Sequence, residues 1–310
     1  MSPIAPRLTR RAALAAGAAL PLAAALRPQL ARAAGHAAPA QNAIQHSFTL
    51  GDLQVATLLA GTRVVEDPQT IFGLNASAEE FEAASSANFI PTDKARFYFT
   101  PTVVNTGSET VLFDTGLSAA GTLPALAAAG YAPEDIDVVV ITHMHGDHIG
   151  GLMNEGAPTY PNARYVTGQV EFDAWASREN EGFEKNMRPL AEKTTFIGDG
   201  GSVASGITGM SAFGHTPGHM AYLLDSGGAQ VLLMADTANH YVWSLTHPDW
   251  EVRFDMDKAV AAATRRKVLG MVAADRVPLI GYHMPFPGMG YVEARGDGFH
   301  YVPTSYQMSL

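Results

Sequence analysis

Short apolar runs recur along the chain from residue 45 onward, and longer stretches with helical spacing lie between them. The clearest run, Asp137 to Ile141, is short and rich in β-branched residues, which predicts a buried strand. On the same grounds strands are predicted at 45–59 (a hairpin), 111–113, 164–166, 203–213 (a pair), 220–224, 230–234 and 277–281. Helices are predicted at 77–86, 117–130, 169–178 and 258–274. The alternation predicts an α/β protein of two broadly similar halves, each with strands first and helices after.

One long segment, 66–93, does not fit this pattern of strands and helices. It contains Ile71-Phe72-Gly73 and the predicted helix at 77–86. A segment of this length between strands is often a lid over a site or a contact between subunits, and plain surface decoration is the alternative. A homodimer is one expectation that follows from it.

Metal-competent side chains are concentrated directly after the central strand. The stretch Thr142-His143-Met144-His145-Gly146-Asp147-His148 places three histidines and one aspartate within six residues. In α/β proteins, functional residues usually lie at the carboxyl ends of the strands. A solvated polar loop is the alternative interpretation, and further ligands at other strand ends would decide against it.

Three more strand ends supply such ligands, at His215, Asp236 and His283. Seven oxygen and nitrogen ligands are too many for one zinc ion but suit two ions that share a carboxylate. From their order, His143, His145 and His215 are predicted to bind one ion, and Asp147, His148 and His283 the other, with Asp236 as the bridge.

The composition narrows the chemistry of this site. The chain has 310 residues and no cysteine, so disulfides, thiolate ligands and cysteine nucleophiles are excluded. Histidine and carboxylate ligands suit two Zn²⁺, with Mn, Co or Fe as alternatives. A zinc-bound water has a pKa near 7, so a hydroxide that bridges two zinc ions would serve as the nucleophile, with Asp147 and Asp236 as the catalytic carboxylates.

The first 33 residues have the features of an export signal. Arg10-Arg11 precedes an apolar run at 12–26, and Ala31-Arg32-Ala33 offers a cleavage site between small residues. The arginine pair resembles a twin-arginine signal, and an ordinary secretory signal is the alternative. The apolar run is too short and too rich in alanine and glycine for a stable membrane anchor. We therefore expect a periplasmic or secreted protein, with a flexible mature start at 34–45 and a single domain at 46–310.

The charge of the chain excludes one class of partner. The net charge of −10 becomes −15 once the five arginines of the first 33 residues are set aside. An acidic body argues against nucleic acid. The expected partner is a small-molecule substrate.

The motifs HxHxDH (143–148) and GHTPGH (214–219), with Asp236 and His283 after them, resemble the metallo-β-lactamase superfamily. The resemblance runs from about residue 48 to 303 and implies a four-layer αβ/βα sandwich. Within the superfamily the chain looks most like the methyl parathion hydrolase branch, which also includes lactonases. The features that resemble this branch are Trp175, Phe254-Asp255-Met256-Asp257, Thr264-Arg265-Arg266 and His283-Met284-Pro285-Phe286-Pro287-Gly288. That branch implies a dinuclear site under an aromatic pocket, for which Trp175 and Phe286 are the candidate lining residues; core packing is their alternative role.

The chain departs from the homoserine-lactone lactonases of this superfamily at one position. They place a tyrosine three residues after the bridging aspartate, where this chain has Asn239. The substrate-polarising phenol is therefore missing there, although Tyr241 or Tyr282 could replace it. The absence of cysteine leaves open only the all-His/Asp type of β-lactamase.

The remaining polar candidates are given supporting roles. Asp114 is expected to bond the backbone or a ligand histidine, with an ordinary turn as the alternative, and His219 is expected to be structural. His240, His247 and His300 are expected on the surface.

The predicted function is that of a dinuclear-zinc hydrolase that acts on ester bonds (EC 3.1) in esters, lactones or phosphotriesters. An acyl homoserine lactone lactonase and a β-lactamase are alternatives within the same class. A diiron oxidoreductase of the same fold and a non-catalytic metal-binding protein are the alternatives outside it.

Overall fold

The computed structural model describes residues 43–305. The predicted export signal and most of the predicted flexible start lie outside these residues. Gln45, the last residue of that predicted start, already belongs to the first strand. Within the described residues, none of the helices combines the length and the apolar character needed to cross a bilayer.

The strands of the described residues are, in chain order, β1 (Gln45–Leu50), β2 (Leu53–Leu58), β3 (Gly61–Glu66), β4 (Lys94–Phe99), β5 (Thr102–Asn105), β6 (Thr110–Phe113), β7 (Val138–Ile141), β8 (Met153–Asn154), β9 (Ala157–Pro158), β10 (Arg164–Gly168), β11 (Thr194–Ile197), β12 (Ser202–Ala204), β13 (Ile207–Ser211), β14 (Met220–Ser226), β15 (Ala229–Ala235), β16 (Leu279–Gly281), β17 (Met289–Arg295) and β18 (Gly298–Pro303). The α-helices are α1 (Ala78–Ala87), α2 (Ala119–Ala128), α3 (Gly146–Ile149), α4 (Gln169–Ala176), α5 (Glu181–Asn186) and α6 (Lys258–Asp275).

Two seven-stranded mixed sheets form the centre of the molecule. The first has the order β1-β2-β5-β6-β7-β10-β11, and the second has the order β12-β13-β14-β15-β16-β17-β18. Parallel pairing in each sheet is confined to its middle or far strands, β6-β7-β10-β11 in the first and β15-β16 in the second. Each sheet therefore has a parallel region whose carboxyl strand ends can carry a site.

The core lies in three layers, which follow from strands that are buried on both faces. In β7, Val138 and Val140 pack between the two sheets, whereas Val139 and Ile141 face α2, α4 and α5. The second sheet is covered on its outer side by α6, through Val268, Leu269 and Val272. The order of layers is helix, sheet, sheet, helix, which confirms the predicted αβ/βα sandwich.

A separate hairpin, β3-β4, and the segment that follows β3 pack over one end of this sandwich. Ser77 caps α1, its side chain accepting from Glu80 N–H while the Glu80 carboxylate accepts from Ser77 N–H. Phe81 of α1 stacks on Trp243 with 4.7 Å between ring centroids. Segment 66–93 is thus joined to the loop that follows β15.

The secondary structure follows the sequence patterns closely. The four predicted helices are confirmed as α1, α2, α4 and α6, and the predicted strands are confirmed, with ends that differ by a few residues. The elements that were not predicted include the short helices α3 and α5, whose four and six residues show no clear apolar period, and the strands β3, β8, β9, β11, β17 and β18.

Candidate metal centre

The ends of β7, β15 and β16, together with the turn between β13 and β14, meet at one edge of the sandwich. His143, Asp236 and His283 each lie two residues or fewer beyond a strand, and His215 lies in the β13-β14 turn. Glycine is required where the chain returns past this edge. A Cβ atom on Gly151 would lie 2.2 Å from the carbonyl oxygen of Thr115, and one on Gly150 would lie 2.2 Å from that of Leu117.

The first group of predicted ligands, His143, His145 and His215, converges on one point. His145 Nδ1 lies 3.1 Å from His143 Nε2 and 3.0 Å from His215 Nε2. Two nitrogens on one tetrahedral zinc are separated by about 3.3 Å, given Zn–N bonds of about 2.05 Å. The three side chains therefore have the spacing of a single zinc site.

The second group, Asp147, His148 and His283, lies beside the first. Asp147 Oδ2 is 3.6 Å from His148 Nε2 and 3.3 Å from His283 Nε2. These separations also suit three ligands of one ion.

Asp236 lies between the two groups. Its Oδ1 is 3.3 Å from His148 Nε2, and its Oδ2 is 3.3 Å from His215 Nε2 and 3.2 Å from His283 Nε2. The carboxylate thus faces histidines of both groups at once, which is the geometry required of a bridging ligand.

Two buried atoms support the fit of metal ions to these side chains. His148 Nε2 and Asp236 Oδ1 make no hydrogen bond to the described residues, although both are inaccessible to solvent. Buried polar atoms are normally paired, and a bound metal ion would supply the partner that these two atoms lack. The donor set, five histidines and two aspartates, is one that Zn²⁺ accepts.

In several of the predicted ligand histidines, Nδ1 bonds to another residue while Nε2 faces the other ligands. His148 Nδ1 lies 2.8 Å from Asp114 Oδ2, and Asp114 also accepts from Thr142 N–H and the Thr142 hydroxyl. His283 Nδ1 lies 2.8 Å from the carbonyl oxygen of Tyr98. Such partners fix the tautomer and orientation of a ligand histidine. Asp114 therefore bonds both the backbone and a predicted ligand histidine, as expected, and is not an ordinary turn residue.

Asp255 has the same role for His215, and this role was not predicted from the sequence. Its Oδ1 lies 2.8 Å from His215 Nδ1, and its Oδ2 accepts from Arg265 Nη2 at 2.7 Å. Arg265 is fully buried on α6 and also donates to the carbonyl oxygens of Thr237 and Pro248. The arginine therefore compensates the buried charge of Asp255. The sequence signal was present in the acidic and basic residues at 255–266, but their contacts were not deducible.

Glu171, which is fully buried on α4, was also missed. Its Oε1 accepts from Met144 N–H at 2.9 Å. Its Oε2 accepts from the Thr216 hydroxyl at 2.7 Å and from Gly218 N–H at 2.9 Å. One carboxylate thus joins the two loops that carry His143, His145 and His215.

His219 holds the turn of Asp236 instead of facing the ions. Its Nδ1 donates to the carbonyl oxygen of Ala212 at 3.0 Å, which leaves Nε2 to accept from Asp236 N–H at 3.1 Å. The structure places it in the structural role expected for it.

The electrostatics of the centre divide its side chains into two kinds. Burial lowers the pKa of His145 to about 3, with a contribution from neighbouring His215. Burial alone would lower the pKa of His215 too, but hydrogen bonds to Asp236 and Asp255 raise it to about 9. His283 behaves in the same way, and its pKa rises to about 10 because of Asp236 and Asp147. A metal ion that binds such a histidine displaces its proton, and the proton is released to solvent.

The two carboxylates of the centre stay ionised. Burial would raise the pKa of Asp147, yet His148 and His283 lower it to about 2. The pKa of Asp236 lies well below its ordinary value because His283 and His148 outweigh its burial. Both side chains are therefore negative at neutral pH and able to bind cations.

A cavity of about 360 Å³ opens above the metal centre. Its polar floor contains His145, Asp147, Asp236 and His283. Its walls are mainly apolar and come from the β3-β4 hairpin and the loops at 71 and 117 and near 254: Val65, Ile71, Phe97, Phe99, Leu117 and Phe254, with Arg63 and Arg253 among them.

Two predictions about this cavity are wrong. Trp175 does not line it but is buried in the core beneath the first sheet, where its ring meets the edge of His145 at 5.8 Å. Phe286 is half-buried and also absent from the lining. Both were chosen for their place near the motifs in sequence, whereas the aromatic walls come from Phe97 and Phe99 on β4, far from those motifs along the chain.

The candidate phenols are not in the cavity either. Asn239 donates to Asp236 Oδ2 at 2.9 Å, so the position after the bridging aspartate supports that ligand. The hydroxyl of Tyr282 donates to the carbonyl oxygen of Asp147, and Tyr241 lines a neighbouring cavity. His240, His247 and His300, all expected on the surface, are instead half-buried, and His240 stacks on Trp243 at 3.9 Å.

Comparison with curated proteins finds N-acyl homoserine lactonases. The enzyme from Bacillus sp. is 27% identical over 146 residues, which are 47% of this chain and 56% of that protein. The chain thus matches little more than half the length of these relatives. A shorter match, 50% identical over 46 residues, is to the anti-Pycsar protein Apyc1 of Paenibacillus sp. (strain J14), and covers 15% of this chain and 18% of that protein.

Solved structures share the fold over most of its length. AidC, a dizinc quorum-quenching lactonase in complex with a product, has a TM-score of 0.79 at 24% identity and covers 86% of this chain and 99% of its own. The hydrolase AbOPH has a TM-score of 0.77 at 24% identity, with the same coverage. The model of the metallo-beta-lactamase superfamily matches residues 100–278, which include six of the seven predicted ligands. The chain, with its αβ/βα sandwich and its clustered histidines and aspartates, belongs to the metallo-β-lactamase superfamily.

Proposed function

We propose that the protein is a dinuclear-zinc hydrolase that cleaves the ester or lactone bond of a small substrate with an apolar group. The observation that carries the proposal is the pair of three-ligand groups, joined by Asp236, at the floor of an apolar cavity. Two zinc ions bound there would supply a water of lowered pKa and a Lewis acid for the carbonyl oxygen.

The lining of the cavity supports direct attack by water. Of the described residues that line it, none is a serine, threonine, tyrosine or cysteine. The lining therefore offers no hydroxyl or thiol nucleophile, which favours hydrolysis by direct attack of water without a covalent intermediate on a serine, threonine, tyrosine or cysteine.

The two carboxylates of the floor act as acceptors in this proposal. The side chain of Asp147 is 22% exposed and that of Asp236 is 4% exposed, so Asp147 is the one that a substrate or a water reaches. Because its pKa is lowered, Asp147 is ionised and would orient the attacking water through a hydrogen bond that it accepts, whereas Asp236 would serve as the bridging ligand.

The apolar walls select the rest of the substrate. Phe97, Phe99 and Phe254 would pack against an acyl chain or an aromatic leaving group and exclude water from it. The relatives named N-acyl homoserine lactonases support a lactone as one such substrate. The absence of a phenol among the lining residues favours substrates whose carbonyl needs no further donor.

The test is a parallel measurement of metal content and initial rates on purified protein. The substrates are an aryl ester, an acyl homoserine lactone, a phosphotriester and a β-lactam. We expect two zinc ions per chain and the highest kcat/KM on the ester or the lactone. Two iron ions with no hydrolysis of any substrate would instead indicate the oxidoreductase.

Asp236→Ala is the variant that tests the site itself. Loss of the bridging carboxylate is expected to abolish turnover and to lower the metal content. Retention of two metal ions together with the full rate would refute the bridging role of Asp236.

A further inference from the structure

We propose that the substrate carries an anionic group, a carboxylate or a phosphate, in addition to the bond that is cleaved, and that Arg63 and Arg253 bind this group. The inference rests on the proposed function, because it concerns the substrate of the same cavity. It adds a requirement that neither the metal centre nor the apolar walls impose.

Both arginines line the cavity above the metal centre. Arg63 lies on β3, paired with Phe97 of β4, so that it enters the cavity from the hairpin. Arg253 enters from another element, the loop before α6, which an isolated β-bridge between Phe72 and Val252 ties to the segment after β3. Two separate elements thus deliver one guanidinium each to a single cavity.

Neither guanidinium has an acidic partner among residues 43–305. Arg164 pairs with Glu109 at 3.0 Å and Arg188 with Glu184 at 2.7 Å, but no carboxylate oxygen of the described residues lies within 4.0 Å of Arg63 or Arg253. Their side chains also donate no hydrogen bond to the described residues. Both residues are exposed, so the two guanidiniums are accessible to a ligand that enters the cavity.

Arg253 is held in place without using the hydrogen-bond donors of its guanidinium. Its backbone N–H donates to the carbonyl oxygen of Ile71 at 2.8 Å, and its guanidinium lies over the ring of Phe254 at 5.0 Å. Stacking on an aromatic face orients the guanidinium and leaves its edge free. That edge matches the two oxygens of a carboxylate or phosphate.

The acidic residues at the floor do not serve as the missing partners. Asp147 and Asp236 face His148, His215 and His283 at 3.2–3.6 Å and are compensated by them. Two like charges in the same cavity repel each other, and an anion that binds between them removes that repulsion. The cavity therefore combines a hydrolytic floor, an apolar wall and a site for negative charge.

The test compares two aryl esters that differ in one charge, 4-nitrophenyl butyrate and the mono-4-nitrophenyl ester of glutaric acid. The variants are Arg63→Gln, Arg253→Gln and the double variant. Arg295→Gln, on the β17-β18 hairpin away from the cavity, changes the net charge equally and is the matched control. The ratio of kcat/KM between the two esters is the quantity compared.

We expect the wild type to prefer the anionic ester, and the double variant to lose about tenfold or more of kcat/KM on it, through KM, with less than about twofold change on the neutral ester. The preference should weaken as salt is added. Equal losses on both esters, or the same loss in Arg295→Gln, would overturn the proposal.

A binding measurement separates this inference from the proposed hydrolase function. The 4-nitroanilide of glutaric acid carries the same anionic group on an amide in place of the ester. If neither ester is cleaved, the proposed cleavage of aryl esters fails, and the affinity for the anilide still decides the role of the arginines. Binding about tenfold tighter to the wild type than to the double variant supports the anion site, and equal affinity overturns it.

Discussion

Glu171 offers a sharp test of how the two histidine loops are held together. It accepts three hydrogen bonds, from Met144 N–H, the Thr216 hydroxyl and Gly218 N–H. The contact is close, since a Cβ atom on Gly218 would lie 2.0 Å from the backbone nitrogen of Glu171. We predict that Glu171→Gln weakens zinc binding without any contact between residue 171 and the ions.

The expected size of the effect follows from the donors. A glutamine can turn its oxygen either toward Met144 or toward Gly218, and in each orientation one buried backbone N–H faces the amide NH₂. A buried donor without an acceptor costs about 1–3 kcal/mol. Because that strain is relieved by movement of the loops that carry His143, His145 and His215, we expect zinc affinity to fall about 10- to 100-fold.

The assay is competition for zinc with a chromophoric chelator, together with urea unfolding of the metal-free and zinc-loaded protein. Glu184→Gln, which removes a carboxylate at the surface of α5, is the control. A purely structural role would lower the free energy of unfolding and leave the zinc affinity of the folded protein unchanged. Wild-type affinity for both zinc ions in Glu171→Gln would therefore refute the argument.

Two further substitutions test the reassigned residues. Trp175→Ala removes a buried side chain and should destabilise the protein by about 3–5 kcal/mol, while the ratio of KM values for aromatic and aliphatic esters stays constant; a selective rise for the aromatic ester would return Trp175 to the cavity. His240 has its pKa lowered by burial to about 3, and its Nδ1 accepts from the N–H groups of Val242 and Trp243. In the unfolded chain this histidine binds a proton below about pH 6.5, whereas in the folded protein it stays neutral. The contribution of His240 to the free energy of unfolding is therefore fully present above that pH, and below it falls by at most about 1.4 kcal/mol per pH unit. His240→Gln, measured by urea unfolding between pH 7 and 4.5 beside His300→Gln as control, should flatten this dependence, and an unchanged slope would contradict it.

The clustering of the seven candidate ligands could be predicted from the sequence because the information is local. Each ligand follows a run of apolar residues that defines a strand, as Val138–Ile141 does for His143. The strands before His143, Asp236 and His283 all end at the same edge of the sandwich, where α/β proteins commonly carry their functional residues. The assignment to two groups needed only the order of the ligands along the chain.

The partners of those ligands could not be predicted, because they depend on contacts between distant segments. Asp255 is 40 residues from His215, and Glu171 is 45 residues from Thr216. Nothing in the sequence around Asp255 distinguishes a carboxylate that is buried against Arg265 from one that is exposed on a loop. Asp114 was identified only because it ends a strand adjacent to the motif.

The walls of the substrate cavity also depend on contacts between distant segments of the chain, unlike the candidate ligands of the metal centre. The floor is fixed by the register of the two sheets, whereas the walls come from the β3-β4 hairpin and the loop that carries Arg253. That hairpin is positioned by tertiary contacts of single residues, such as the bridge of Phe72 with Val252 and the 2.9 Å hydrogen bond from Trp243 Nε1 to Ser85. The hairpin touches the floor at His283, whose Nδ1 bonds to the backbone carbonyl oxygen of Tyr98 on β4. Because that bond is made to the backbone, side chains of the hairpin and the loop can change the substrate while the hydrolytic floor stays the same. Substitutions at Arg63 and Arg253 should therefore alter which substrates are cleaved and leave the number of bound metal ions unchanged.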